Sequence, residues 1–465
     1  MTSIRCLQKG ACGMRMRLSL AVLPGLLALC MLPPGLRAQQ QPIALTGTLV
    51  MPQQVIPDGT VVVLHGRIVA SGAHIAVPGG TRVIATHGIL APGLIDLHNH
   101  LTWNIFPRWH PTEAFGNRYD WQQKPIYNVL LTAPHEAIVR AGLECDAERY
   151  AEVKAIIEGE TSVTGSMQAA CDQRVARDLD FDPRIVGSGK IIYNVFPFQM
   201  SGEQLSAANA ALHATPRGSL LIHVSEGAPH DASAAREFTM LEARGLLQPG
   251  VSLIHAVAVP PSGFVAMQQH GVGFIWSPRS NIELYGDTAN MVAAKAAGVT
   301  IALAPDWSPT GSDGLLSELN FASVWNQTQA PPLFSERDLV LMATANAASL
   351  VNLSDAIGSL AAGHLADILV VRPSEPMTAE HDAYWMLTHA CPADVQLVMI
   401  GGEAVYGDPA LLQDLVGGTP QPLEVCGAAK SLVLPGKRFA TTQRLLEHAL
   451  QQSGRALAPV AECTR

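Results

Sequence analysis

Hydrophobic positions in this chain follow two regimes. Near both ends they form short runs of alternating apolar and polar residues, broken by turn chemistry. Ile43–Val50, Val61–Leu64, Gly66–Gly72 and Thr81–Ile84 are such runs, punctuated by Pro57–Asp58–Gly59 and Pro78–Gly79–Gly80; this predicts a small β unit. A matching piece returns at Ile357–Val371, followed by Leu397–Ile400 and Glu403–Tyr406. Two β-rich ends around one central block predict a β-sandwich-like satellite domain formed from residues 39–90 and 356–407. Residues 408–465 are then a C-terminal extension.

The central block, residues 91–355, alternates buried apolar runs with helical patterns, as βα units do. The predicted strands are Leu94–His98, Ser162–Gly165, Val175–Leu179, Ile185–Ile191, Leu220–His223, Ser252–His255, Gly273–Trp276 and Thr300–Ala304. Eight strands of this kind fit a TIM-like (β/α)8 barrel, an α/β fold. Its strand C-termini share one face, so residues at those ends converge.

Residues 1–38 follow neither regime. Arg5, Lys9, Arg15 and Arg17 precede an apolar run from Leu18 to Leu32, and Leu36–Arg37–Ala38 offers a cleavage site. That is the pattern of a secretory signal peptide, which predicts an exported protein, periplasmic or secreted. Pro24, Pro33 and Pro34 break the run and argue against a membrane anchor. The formal net charge is −9, and removing the leader with its five basic residues makes it −14. An acidic surface argues against nucleic acid and anionic membranes as partners; a small molecule remains, with a homo-oligomer left open. Five cysteines follow the leader. Export and local spacing point to Cys145–Cys171 and Cys391–Cys426 as disulfides, with Cys463 unpaired.

The chemistry sits at predicted strand ends. His98 and His100 are two residues apart, so both imidazoles can face one point, half of a tetrahedral metal site. His223 closes the fifth strand with Glu226 just beyond, His255 closes the sixth, and Asp306 follows the eighth. Singly, each histidine reads as a satisfied core residue and Asp306 as a helix cap; at successive strand ends of one barrel they read as a site.

With these residues in place the sequence resembles the amidohydrolase superfamily over roughly residues 45–406. The resemblance rests on Pro92–Gly93–Leu94–Ile95–Asp96–Leu97–His98–Asn99–His100, on Gly159–Glu160–Thr161–Ser162–Val163, and on Ile357–Gly358–Ser359–Leu360 with Gly363–His364–Leu365–Ala366–Asp367. His223–Val224–Ser225–Glu226, then His255 and Ser277–Pro278–Arg279–Ser280–Asn281, is similar to the one-metal branch of guanine and cytosine-type deaminases and triazine hydrolases. The resemblance implies that His98, His100, His223 and Asp306 hold one divalent metal, Zn²⁺ or Fe²⁺. Glu226 would shuttle protons, His255 would polarise the substrate or orient the attacking water, and Asp306 would accept that water's proton. The implied activity is hydrolysis of a non-peptide C–N bond, by deamination of a cyclic amidine-like carbon or by cleavage of an amide or cyclic amide.

Two features depart from that pattern. Trp307 follows Asp306 where the deaminases have small or hydroxylated residues. Lys190 lies near the end of the predicted fourth strand, where two-metal members carry a carboxylated bridging lysine, so a two-metal enzyme stays open. A catalytically dead exported binding protein is a further alternative. The loop Leu101–Trp121 is rich in aromatics and suits a wall for a flat or apolar substrate. Trp103, Trp109, Asn281 and Trp307 are the candidate substrate contacts.

Overall fold

The alternation at the chain ends becomes strands that share one apolar core. In the computed structural model, which describes residues 41–166, 171, 175–181, 189–416 and 419–463, β1 (Ile43–Val50) pairs antiparallel with β2 (Val55–Leu64). β3 (Arg67–Ala73) adds to β2, and β4 (Arg82–Pro92) lies parallel to β1 on its other side. The chain then passes through Gly93 into the barrel. A Cβ at Gly93 would come within 2.2 Å of the Thr161 side chain, so this crossing requires glycine. The predicted leader and residues 185–188 of the predicted fourth strand lie outside the described residues.

Eight parallel strands follow in two arcs. β5 (Leu94–Ile95), β6 (Glu160–Val163) and β7 (Arg177–Asp178) form one. β8 (Ile191–Asn194), β9 (Ser219–Val224), β10 (Val251–His255), β11 (Gly273–Trp276) and β12 (Ile301–Leu303) form the other, in sequence order. An isolated parallel bridge between Asn99 and Asp306 joins the chain just past β5 to the chain just past β12. Successive residues serve opposite faces. Leu221 meets Ile95, Ile254, Ile275 and Ala302 in the barrel interior, while Leu220 and Ile222 join the layer under the helices. No helix among the described residues is long and apolar enough to cross a membrane.

β13 (Ile368–Val371) returns antiparallel to β4, and β14 (Val395–Ile400) and β15 (Glu403–Gly407) extend the sheet. β16 (Gln421–Val425) and β17 (Ala428–Leu432) complete a nine-stranded sheet, so part of the predicted extension is built into it. Leu45, Val61, Ile68, Leu90, Ile368 and Leu397, from both chain ends, share a core of their own.

Cys145 and Cys171 form the expected disulfide, with Cα atoms 5.3 Å apart. The second expectation is corrected: Cys426 pairs with Cys463, Cα atoms 5.2 Å apart, and not with Cys391. Cys426 sits at the tip of the β16–β17 hairpin at φ 51°, where it meets the end of the chain. Cys391 is buried before β14, its thiol donating to Asp394 Oδ2 at 3.1 Å. Beside Cys463, Glu462 pairs with Arg108 at 2.7 Å and with Arg279 at 2.8 Å. Glu462 and Cys463 are therefore anchored at the barrel rim and the sheet, respectively.

A buried acid makes stability depend on pH. Glu158 ends the helix Glu144–Ile157 and accepts from the Ser317 amide and hydroxyl at 2.9 Å each. Burial, reinforced by Asp313, outweighs these donors and pushes Glu158 up to about 8. An unfolded glutamate titrates at about 4.3. Between those values the folded state holds a proton that the unfolded state has lost, so stability falls as pH rises. Glu158→Gln is expected to lose less Tm than the parent between pH 5 and pH 8 in parallel melts. Equal losses would exclude Glu158 as the source.

Candidate active site

The strand that introduces the first two histidines ends early, at Ile95. Asp96 then turns the chain, accepting from the His98 amide at 2.9 Å and from Asn99 Nδ2 at 2.6 Å. The Asn99–Asp306 bridge restores local extension, with Asp306 N donating to His98 O at 3.1 Å. His98 and His100 therefore flank a residue paired to the segment that carries Asp306, their ring centroids 5.4 Å apart. Both rings reach the same carboxylate oxygen: Asp306 Oδ1 is 3.1 Å from His98 Nε2 and 3.3 Å from His100 Nε2. Ser280 Oγ donates to the other oxygen at 2.5 Å.

His223 ends β9 one residue before its close, and its ring centroid lies 4.7 Å from that of His98. His255 is placed differently. Ile254 belongs to the barrel interior, so a regular strand would turn His255 outward. Its φ of 67° breaks the extension, and its ring comes within 4.7 Å of His98 and 4.9 Å of His223. Asn281 Oδ1 lies 2.8 Å from His255 Nδ1; this residue orients a histidine and is not in the cavity wall.

Two triads share His98. Ligand-capable atoms of His98, His223 and His255 lie within 4.8 Å of one another, as do those of His98, His100 and Asp306. His98 Nδ1 is held by Ser277 Oγ at 2.8 Å. Its Nε2 is buried 3.1 Å from Asp306 Oδ1 but makes no well-aligned hydrogen bond among the described residues, which fits a nitrogen that shares a metal with that carboxylate. Burial pushes His98 down to about 4, so its imidazole is neutral at pH 7, the form that ligates. His223 is driven well below its ordinary value by burial and by the other histidines. Burial pushes Asp306 up, but the neighbouring histidines outweigh it and hold the carboxyl well below the usual range.

Glu226 stands beside these groups on the turn after β9. Its Oε2 is 3.2 Å from His223 Nδ1, 3.6 Å from His255 Nε2 and 3.6 Å from Arg118 Nη1. Tyr285 donates to Oε1 at 2.7 Å. Arg118 also donates to Glu237 Oε1 at 3.0 Å and to Val195 O at 2.7 Å.

The site opens into a cavity of about 320 Å³, with His100, His223, His255, Glu226 and Asp306 at its polar end. Trp103 and Trp307 line it, as do Trp121, Tyr127, Phe196 and Leu284. Trp307 faces His100 at 5.9 Å, and its indole N–H donates to Thr310. Trp109 does not line this cavity; it packs with Phe115 and Trp121 at the rim. Lys190 is exposed and immediately precedes β8, about 13 Å of strand away from the Asn194 end. It therefore occupies the wrong end of its strand for the bridging position.

Sequence reasoning missed Tyr193, whose hydroxyl lies 3.0 Å from His223 Nε2 and 3.5 Å from His100 Nε2. The predicted fourth strand ends at Ile191, where β8 begins, so Tyr193 falls outside the predicted run. A polar residue closing the run Ile191–Ile192–Tyr193–Asn194, as polar residues close the other strands, was the available signal. Arg118 and Tyr285 carried no pattern that would mark them.

Residues 219–405 match the Amidohydrolase family. The 5-methylthioadenosine/S-adenosylhomocysteine deaminase of Desulforudis audaxviator is 26% identical over 388 residues, covering 75% of this chain and 89% of that protein. Among solved structures, an adenosine deaminase from Xanthomonas campestris with bound zinc superposes with a TM-score of 0.66 at 17% identity, covering 89% of this chain and 98% of that one. E. coli guanine deaminase gives 0.61 at 18% identity, covering 78% and 99%. These two likenesses establish the barrel fold.

Proposed function

We propose, on the premise that the chain carries an amidohydrolase family domain, that it is an exported metal-dependent hydrolase that deaminates a cyclic amidine-like carbon. The observation that carries this reading is the pair of triads sharing His98 beside Glu226, at the end of an aromatic cavity. His98, His100, His223 and Asp306 would hold the divalent ion, with Zn²⁺ favoured by their nitrogen-rich set. When bound, such an ion supplies Lewis acidity and brings the pKa of a water toward about 7.

The chain's own residues do the rest. Ser277 and Ser280 fix His98 and Asp306 in orientation. Asp306 accepts a proton at its carboxylate, and Glu226 delivers one to the leaving nitrogen, which departs poorly as an anion. Tyr285 and Arg118 hold Glu226 against the histidines. His255 faces the cavity, where it polarises the reacting carbon's substituent. Export is supported by the leader pattern and by two disulfides, which persist in oxidising compartments.

Ammonia release across amino-substituted nitrogen heterocycles, beside amine release from aryl amides, tests the reaction. Deamination predicts ammonia from the heterocycles with metal bound. Amine release alone would replace it with amide hydrolysis, and neither product without bound metal would leave the binding-protein alternative.

A further inference from the structure

We propose that the site selects an uncharged, flat, largely apolar substrate and rejects the same ring system when it bears a carboxylate remote from the reacting carbon. This rests on the hydrolase reading only for turnover; as a statement about binding it stands on the cavity wall. The wall is a continuous aromatic cluster. Trp307 lies 6.1 Å from Trp103 and 5.8 Å from Trp121, and Tyr127 lies 5.0 Å from Trp121. Trp103 is braced from behind by His135, stacked at 4.0 Å and 4°.

Two of the indole N–H groups in this cluster are already used. Trp121 Nε1 donates to Tyr285 at 2.9 Å, and Trp307 Nε1 donates to Thr310. What these indoles offer a ligand is their faces, which suit stacking on a flat ring. Beyond the polar end, Gln122 is the one neutral amide among the described lining residues, and no described lysine or arginine lines the cavity. Arg118 is near, but it is buried, bound to Glu237 and Glu226 and committed to Val195 O. A carboxylate entering here would lose its water and meet no cation among the described lining residues, which is costly in a low-dielectric site.

Two matched pairs test this on the metal-loaded protein, by calorimetry and tryptophan quenching. 5′-Methylthioadenosine and S-adenosylhomocysteine share base and sugar and differ in an appended amino acid. 1-Aminonaphthalene and 5-aminonaphthalene-1-sulfonate differ by one anionic group. The uncharged member of each pair is expected to bind at least about 10²-fold more tightly. Equal affinities within the pairs, or no binding of either uncharged member, would overturn the proposal. Gln122→Arg places a cation on the wall at a half-buried position, and should narrow both gaps about 10-fold or more. An unchanged gap with the uncharged ligands still bound would overturn the missing counter-charge as its cause. Tight binding of 5′-methylthioadenosine without ammonia release would refute deamination while supporting the cavity's selectivity.

Discussion

His98→Ala is expected to lose bound metal and turnover together. His98 is fully buried and belongs to both triads, so removing it leaves neither set complete. His223 and His255 would remain near one another, and His100 near Asp306, but the ligand common to both triads would be gone. Metal analysis of purified protein should read close to one ion per chain in the parent and background in the variant, with turnover at the detection limit. A thermal melt separates this from unfolding. Ser277→Ala provides the graded comparison. It removes the 2.8 Å partner of His98 Nδ1 and leaves the ligating nitrogen in place, so metal affinity should fall by about 10–100-fold. Full metal occupancy in His98→Ala would overturn the assignment.

The distinction between fold and site explains what could be read in advance. Barrel strands buried on both faces announce themselves as apolar runs, and each of β9 to β12 falls where its run predicted. The weak strands are those whose sequence is mixed. β8 begins at Ile191, the last residue of its predicted run, because an Ile-Ile pair followed by Tyr193 is apolar enough to pair with β9. The site histidines were legible because each closes a run. Arg118, Tyr285 and Tyr193 were not, since each reaches the site from the start of a helix, the end of a helix or a shifted register across a large sequence separation. His255 shows a second limit. Strand parity would have turned it outward, and the φ of 67° that brings it in leaves no trace in a hydrophobic pattern. The Cys426–Cys463 pairing was hidden for a similar reason: it depends on where the end of the chain packs, and the Glu462 ion pairs that hold it there are long-range.

Glu226→Gln is expected to keep the metal and lose about 10²–10⁴-fold in turnover. The substitution preserves shape and one oxygen for the Tyr285 hydroxyl, which sits 2.7 Å from Oε1. It removes the group that can carry a proton from water to the leaving nitrogen, and it leaves Arg118 with one carboxylate fewer. If the loss reflects proton delivery, it should shrink for substrates whose leaving group needs no proton. If it reflects a misplaced Arg118, it should be the same for all of them. Tyr285→Phe calibrates the positioning part. It deletes one hydrogen bond to Glu226, which is worth about 2–10-fold, and leaves the carboxylate able to titrate. Steady-state rates for both variants over a leaving-group series, with metal content measured on the same preparations, decide between these accounts. Unchanged turnover in Glu226→Gln at normal metal content would reduce Glu226 to a partner of Arg118 and move the proton carrier elsewhere in the cavity.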